Sequence, residues 1–580
     1  MKALADANLT AVEAPPADRA PTPATPRQAP PEPEPAACVA TARVAAIIVT
    51  WNRREALDVV LRALAGQQYG GRHGGRLDVV VVDNGSTDGT ADSVIEHWAP
   101  DRVVDNATAD AAEPRFEDSP LRTTRNGHLG GRGAISTLTL VRNAHNLGGC
   151  GGFNTGLANL ERNLDTPQAP LDYAWLVDDD VDLPPGALAQ LVRTAEGDPG
   201  IGIVGSRTVD FDDRQTTIET TIYFDFENGW MGPEPARGHR LEASHRAWAE
   251  RTGGTRGRLE FSGVREVDVV SACSLLARWR AVKEVGFWDR RYFIYCDDAD
   301  WCLRFGKAGY RVVCDLDAVV FHTYWLSKLT PVRAYYSQRN LVWVIQKVLP
   351  RGRVRRAVAR RLGSLLVDSR KAMTHCRLFH AEIIRRTAHD IVTGRAGKLD
   401  HEGPWAVPLI GALDGGGALR PGARVMVMCS HPESIAWADE LRARVTYGLI
   451  DRGRAADQPR WVYMVRDTVP DPRRPNALGL PGPERVVFEP NRASKWRAQR
   501  GWIRNPAEAV VIFDQSNELP LIRGRYTIHI DRKRPGLAQP ERDGWPQRLR
   551  FLGRWAGTAA RCLLYAGAAR PRPHQGKYGG

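Results

Sequence analysis

The sequence predicts an α/β protein: a mostly parallel sheet flanked by helices, then a helical segment, then a smaller α/β domain. Three observations predict it. Short runs that are apolar throughout alternate with segments of helical spacing, the pattern of strands buried on both faces. Several of these runs stop at clusters of Asn, Asp, Gly and Ser, which are turn formers. From residue 331 to 400 the spacing is helical, and after a stretch rich in Gly and Pro the α/β alternation resumes.

The elements follow in order. Residues 1–38 are rich in Pro and Ala, cannot build a core, and read as a disordered lead; without an apolar central region they are no secretory signal. The first α/β domain is expected over 39–330. It opens with the strand "RVAAIIVTWNR" and a helix that puts Leu57, Val60, Leu61 and Leu64 on one face. "LDVVVVDNGSTDGT" is a strand and its turn, "LTLVRN" a third strand and "YAWLVDDD" a fourth, followed by the helix "PGALAQLVRTA". "VDVVSACSLLARW" and "RVVCDLDAVVFH" read as further strands, with the short helix "DADWCLRFGKAG" between them, closed by Gly309.

Residues 331–400 form a basic helical segment in which Val354, Val358, Leu362 and Leu365 share a stripe flanked by Arg355, Arg356, Arg360 and Arg361. Residues 401–422 read as a linker, and 423–580 as the smaller α/β domain with a basic C-terminal helix and tail. Cys429 and His431 in "MCSHPES" have no third partner for nucleophilic catalysis and read as a strand-to-helix loop, with Ser430 or His431 near the cap.

Composition narrows the function. The 580 residues carry 80 Lys and Arg against 67 Asp and Glu, a formal charge of +13 that favours acidic partners: nucleic acid, anionic membrane or phosphorylated substrates. The alternative source of that charge is a composition skewed toward Ala, Gly, Arg and Pro. The Trp residues are dispersed among apolar strands rather than interleaved with basic ones, which argues against nucleic acid. Nine cysteines without C-x-x-C pairs read as reduced thiols of a cytosolic protein. With no long apolar run, no spanning helix is expected.

The chemistry concentrates at Asp178, Asp179 and Asp180. Side chains alternate along an extended chain, so Asp178 and Asp180 point one way and Asp179 the other. Two carboxylates at the carboxyl end of a parallel strand repel unless something compensates, and Mg²⁺ or Mn²⁺ carrying a diphosphate is a natural compensator. An acidic loop capping the next helix is the alternative. Neighbouring strand ends present Asn52, Arg53, Asp83 and Asn84, and "NAHNLGGCGGFNTGLA" brings glycines that permit close approach to a pyrophosphate.

Taken together, "VTWNR", "VDNGSTDGT", "NLGGCGGFNTG", "LVDDDV", "FIYCDDADWCLR", "FH" and "YYSQRN" resemble glycosyltransferase family 2 up to about residue 340. That resemblance implies the GT-A fold with a D-x-D metal motif. It implies Asp83 on the nucleobase, and Asp178, Asp180 and His322 on the metal. Thr50, Asn52, Arg53, Asn84, Asn146, Gly148, Gly149, Asn154 and Asp179 are the other expected contacts to the nucleotide sugar. It also implies Asp298 as the base that deprotonates the acceptor hydroxyl, with Asp297 hydrogen-bonding the acceptor. On residues alone, Asp298 reads equally as a helix N-cap, a position where the helix terminus favours an ionised carboxylate.

Within the family the chain is most similar to bacterial galactofuranosyltransferases of cell-wall galactan, which implies UDP-galactofuranose as donor. "VVSACSLLARW" is more similar to the rhamnosyl branch, which implies dTDP-rhamnose, and Cys296 stands where the galactan enzymes carry Trp. One base and no separate nucleophile imply a single inverting displacement.

Many relatives act on polyprenyl-diphosphate-linked or glycan acceptors. Peripheral contact with the cytoplasmic face of an anionic membrane is therefore expected through the basic helix, whose arginines otherwise form a solvated face. A non-catalytic carbohydrate- or membrane-binding relative would lack some of the carboxylates, and none is missing. The sequence leaves the oligomeric state open.

Overall fold

A computed structural model describes residues 41–69, 73–108, 113–119, 132–323, 330–374, 377–399, 407–429, 433–467, 469, 482–489, 491–513, 524–530, 536–541 and 544–571. The N-terminal lead, Ser430, His431 and the final tail lie outside them. The chain divides into two compact units, the first ending at residue 324 and the second covering 325–572.

The first unit holds strands β1 (Arg43–Thr50), β2 (Arg76–Asp83), β3 (Arg102–Asn106), β4 (Phe116–Asp118), β5 (Ile135–Asn143), β6 (Tyr173–Asp178), β7 (Val181–Asp182), β8 (Ile201–Asp210), β9 (Thr217–Glu219), β10 (Tyr223–Asp225), β11 (Trp230–Gly232), β12 (Val264–Val267), β13 (Ser274–Arg278) and β14 (Arg311–His322). Its helices are α1 (Arg54–Ala65), α2 (Thr90–Trp98), α3 (Gly148–Asn159), α4 (Ala187–Glu196), α5 (Glu242–Thr252), α6 (Trp279–Val285) and α7 (Asp297–Lys307).

The main sheet runs β12-β14-β8-β13-β6-β1-β2-β5-β3-β4. β6, β1, β2, β5 and β3 are parallel, which puts their carboxyl ends on one edge. β13 runs antiparallel between β6 and β8, and β14 is parallel to β8. The central strands are buried on both faces, as their unbroken apolar runs require. Leu57, Val60, Leu61 and Leu64 of α1 are all buried, on the face that helical spacing predicts.

β3, β4, β8 and β9 were not expected, and the strand expected over 267–279 is interrupted. β12 ends at Val267, β13 begins at Ser274, and residues between them form a loop although Val269, Val270 and Cys273 are buried. An apolar run reports burial, not extension, and this loop is buried because it passes the ends of the central strands.

The second unit contains α8 (Pro331–Val348), α9 (Arg351–Thr374), α10 (Leu378–Thr393), α11 (Leu409–Gly415), α12 (Ser434–Ile450), α13 (Arg492–Arg504) and α14 (Trp545–Ala568). Its strands are β15 (Val407–Pro408), β16 (Arg424–Cys429), β17 (Arg460–Arg466), β18 (Glu484–Phe488), β19 (Ala507–Phe513), β20 (Gly524–Ile530) and β21 (Leu537–Glu541). β18-β17-β16-β19-β20 are parallel, the doubly wound order whose direction reverses between β16 and β19.

Residues 407–422 are not a bare linker: β15 pairs with β21, and Leu409, Ala412 and Leu413 of α11 enter the core. Cys429 is buried at the end of β16, and burial pushes its thiol up to about 12, so it is no nucleophile at neutral pH. The described cysteines are buried and form no disulfide.

The Val354, Val358, Leu362 and Leu365 stripe of α9 is buried, and α9 packs on α10 and α14. The same amphipathic pattern serves either a core or a bilayer, and here the stripe is core, while Arg355, Arg356 and Arg360 stay exposed. Among the described residues no helix is long and apolar enough to cross a membrane.

Candidate active site

β6 ends at Asp178, turns through Asp179 and Asp180, and continues as β7. β7 pairs antiparallel with the end of β14, setting Val181 opposite His322. That register brings His322 Nε2 to 3.2 Å from Asp180 Oδ1 and 3.9 Å from Asp178 Oδ2. Ligand atoms of Asp178, Asp180 and His322 all lie within 4.8 Å of one another. Two carboxylate oxygens and one imidazole nitrogen at this spacing fit Mn²⁺ or Mg²⁺, whose bonds of about 2.1 Å set adjacent donors about 3 Å apart.

Asp179 is not part of this ligand set. Its Oδ1 takes a hydrogen bond from Arg53 Nη1 at 3.1 Å, and the same nitrogen lies 2.6 Å from Asp180 Oδ2. Burial pushes Asp179 up to about 6, with Arg53 opposing the shift. Burial works against the Arg53 charge too, but Asp179 and Asp180 outweigh it and hold the guanidinium protonated. Asp179→Asn keeps the cluster and loses one charged hydrogen bond, so activity should fall by no more than about tenfold in a transfer assay. A loss as deep as that at Asp180 would contradict this assignment.

Asp297 and Asp298 open α7, after Cys296 in the left-handed conformation. Burial raises Asp298 to about 6, although backbone N–H groups of Ala299 and Ala272 stabilise its ionised form. Burial and the Asp298 charge push Asp297 well above its ordinary value. The helix terminus was expected to keep Asp298 strongly ionised; desolvation outweighs it, leaving a carboxylate whose pKa suits a proton acceptor near neutral pH. The loop before β13 joins the two centres. Cys273 accepts the Asp178 N–H at 3.2 Å, and the adjacent Ala272 N–H donates to the Asp298 carboxylate.

Several residues expected on the nucleotide sugar are engaged inside the protein. Buried Asn84 donates to Gly148 O at 2.9 Å and Asn146 Oδ1 at 3.3 Å, and accepts from Asn143 Nδ2 at 2.9 Å and Leu147 N at 3.1 Å. Buried Asn154 grips the backbone of Trp288, donating to its O at 2.8 Å and accepting from its N at 2.9 Å. Asn146 Oδ1 accepts from Gly148 N at 2.8 Å. Gly148, at φ +77°, is needed because a Cβ would stand 2.1 Å from Phe293 O. Asn84, Asn154 and Gly148 thus have structural roles inside the protein. Gly152 and Gly156 let α3 lie on β1, since a Cβ there would press on Val49 and Ile47.

Asn84→Ala would leave buried partners unsatisfied at about 1–3 kcal/mol each. Calorimetry should show a lowered Tm, while donor KM of the folded enzyme stays near wild type.

The remaining residues stay at the strand ends. Thr50 ends β1 and is buried. Asn52, exposed at φ +52°, accepts from Thr87 N at 2.7 Å and so ties the two strand-end loops together. Asp83 is buried at the end of β2, and burial raises its pKa against a hydrogen bond from Ser86. Gly149 has nothing within 4 Å of the position a Cβ would take.

The sequence reading missed Glu219 and Arg256. Burial raises Glu219 to about 7, with Arg256 opposing, Asp298 reinforcing and His322 opposing the shift, so Glu219 belongs to the same electrostatic cluster. "TIETTIYF" gives no local sign of this; β9 enters the cluster only by pairing with β8, Thr208 opposite Glu219. Trp51, 49% exposed just past β1, was also passed over.

Residues 45–104 match the model of Glycosyl transferase family 2, and residues 131–345 that of Glycosyltransferase like family 2. The N-acetylglucosaminyl-diphospho-decaprenol L-rhamnosyltransferase of two Mycobacterium tuberculosis strains is 26% identical over 251 residues, 42% of this chain; the match spans 66% of that protein's length. Among solved structures, a Pyrobaculum calidifontis mannosyltransferase in complex with GDP-Man and Mn²⁺ aligns at TM-score 0.31 and 19% identity over 54% of this chain and 67% of its own. S. aureus TarS aligns at TM-score 0.34 and 14% identity over 60% of this chain and 49% of its own. The two family matches include all the carboxylates of the site.

Proposed function

We propose that this protein transfers a sugar from a nucleoside diphosphate sugar to an acceptor hydroxyl, by one inverting displacement at a divalent-metal site. The observation that carries this reading is one loop joining Asp178 to Asp298, so that a diphosphate site and a base stand side by side. Asp178, Asp180 and His322 would hold the metal, which when bound stabilises charge on the leaving diphosphate. Asp298 accepts the proton of the attacking hydroxyl, and the buried Asp297 beside it orients that hydroxyl. Arg53 keeps Asp179 and Asp180 in place, and Asp83 stands at the strand end where the base of the nucleotide would lie.

Two donors remain in play. The D-D-D and D-D carboxylates with His322 support UDP-galactofuranose. The rhamnosyl-like "VVSACSLLARW" and the name of the M. tuberculosis relative support dTDP-rhamnose, and that name also supports a polyprenyl-diphosphate-linked acceptor. Incubation with a panel of nucleotide sugars, Mn²⁺ and a short lipid-linked acceptor, read as nucleotide release, separates them. Release from no donor would overturn the reading.

Since Asp298 must be ionised to take a proton, kcat/KM should fall as pH drops through a value near or below about 6, bound cation at Asp178 pulling it down. A profile flat to pH 4 would place the base elsewhere.

A further inference from the structure

We infer that the outward face of α14 docks on an anionic lipid surface. The inference rests on the second unit alone and not on the transfer chemistry. α14 packs on α9 and α10 through one face, where Phe551, Thr558 and Cys562 are buried. Its rotation is fixed by Trp555, whose indole N–H donates to Leu366 O at 3.1 Å, and by Gln346, which donates to the Tyr565 hydroxyl at 3.0 Å.

At 3.6 residues per turn the opposite face carries Trp545, Leu549, Ala556, Ala560, Leu563 and Leu564. Trp545, Leu563 and Leu564 are 73%, 76% and 78% exposed, the most exposed large apolar side chains among the described residues. An apolar stripe of this kind on a protein surface calls for a partner.

Charge says which partner. From residue 544 to 580 the sequence has six Arg, one Lys and no Asp or Glu. Arg550, Arg554 and Arg561 border the stripe, Arg554 lying 3.6 Å from Glu382 and Arg561 2.9 Å from His389 on α10. A second copy would set arginine against arginine across such a face. Nucleic acid would gain nothing from leucine and alanine, which offer neither stacking nor hydrogen bonds. A lipid surface takes both: anionic headgroups meet the arginines, and Trp and Leu enter the boundary of the acyl chains. This moves the expected membrane contact from α9, whose apolar stripe is core, to α14.

The test is flotation of the full-length protein with vesicles of phosphatidylcholine, alone or mixed with an equal part of phosphatidylglycerol. The wild type should bind the mixed vesicles and be released by salt. Leu563→Ser with Leu564→Ser should lower the partition coefficient at least about tenfold without changing the thermal melt, since both side chains are already exposed. Equal binding by the double variant overturns the inference, as does a wild type that binds neither vesicle. A dimer in sedimentation that the double variant abolishes would also overturn it, making the face a contact between copies.

Discussion

Asp298→Asn should abolish sugar transfer while leaving donor and metal binding intact. The amide keeps the size, and its one oxygen can still accept the Ala299 N–H, so α7 should hold its place. What is lost is a group able to take a proton, and removing one general base typically costs roughly 10²- to 10⁴-fold in kcat. Donor affinity measured by calorimetry should be unchanged, because the base serves the acceptor alone. The acid limb of the pH profile should vanish with it. Turnover near the wild-type rate would mean that Asp298 only caps the helix, and Glu219, in the same cluster, would be the next candidate.

Asp180→Ala is the second large effect. Asp180 holds both His322 at 3.2 Å and Arg53 at 2.6 Å, so its loss breaks the donor cluster and releases Arg53 at once. Mn²⁺ affinity, followed by calorimetry or by the electron paramagnetic resonance of Mn²⁺, should fall by more than about 100-fold, since even outer-shell partners cost 10- to 100-fold. Transfer should fall with it, and a chelator should silence the wild type. Asp178→Ala should behave alike. Unchanged Mn²⁺ binding in both variants would remove the metal from these three residues.

How far the site was legible depended on how local its determinants are. Alternation along a strand is local, and it pairs Asp178 with Asp180 as the structure does, although the strand ends at Asp178 and a turn rather than a continuing strand carries Asp179 and Asp180. The α1 face is local too, and so is the start of α7, expected at Asp298 and found one residue earlier at Asp297. The internal engagement of Asn84 and Asn154 was not legible, because a polar residue beside a glycine turn looks ready for ligand. Their saturation comes from partners distant in sequence, Trp288 for Asn154 being 134 residues away. Glu219 depends on strand pairing across the sheet, and no short pattern announces that. The α9 stripe failed for another reason: helical periodicity tells which face is apolar and not what covers it.

The placement of β13 has a consequence for engineering. The separation between the diphosphate-side carboxylate and the base is set by main-chain hydrogen bonds of β6, β13 and the loop at 272–273, not by any side chain chosen for a substrate. The ladder extends to Ile222, whose carbonyl accepts the N–H groups of Asp268 and Val269 in the loop before β13. Substitutions that keep this main-chain ladder should therefore keep the spacing of the two carboxylates, wherever else in the sheet they fall.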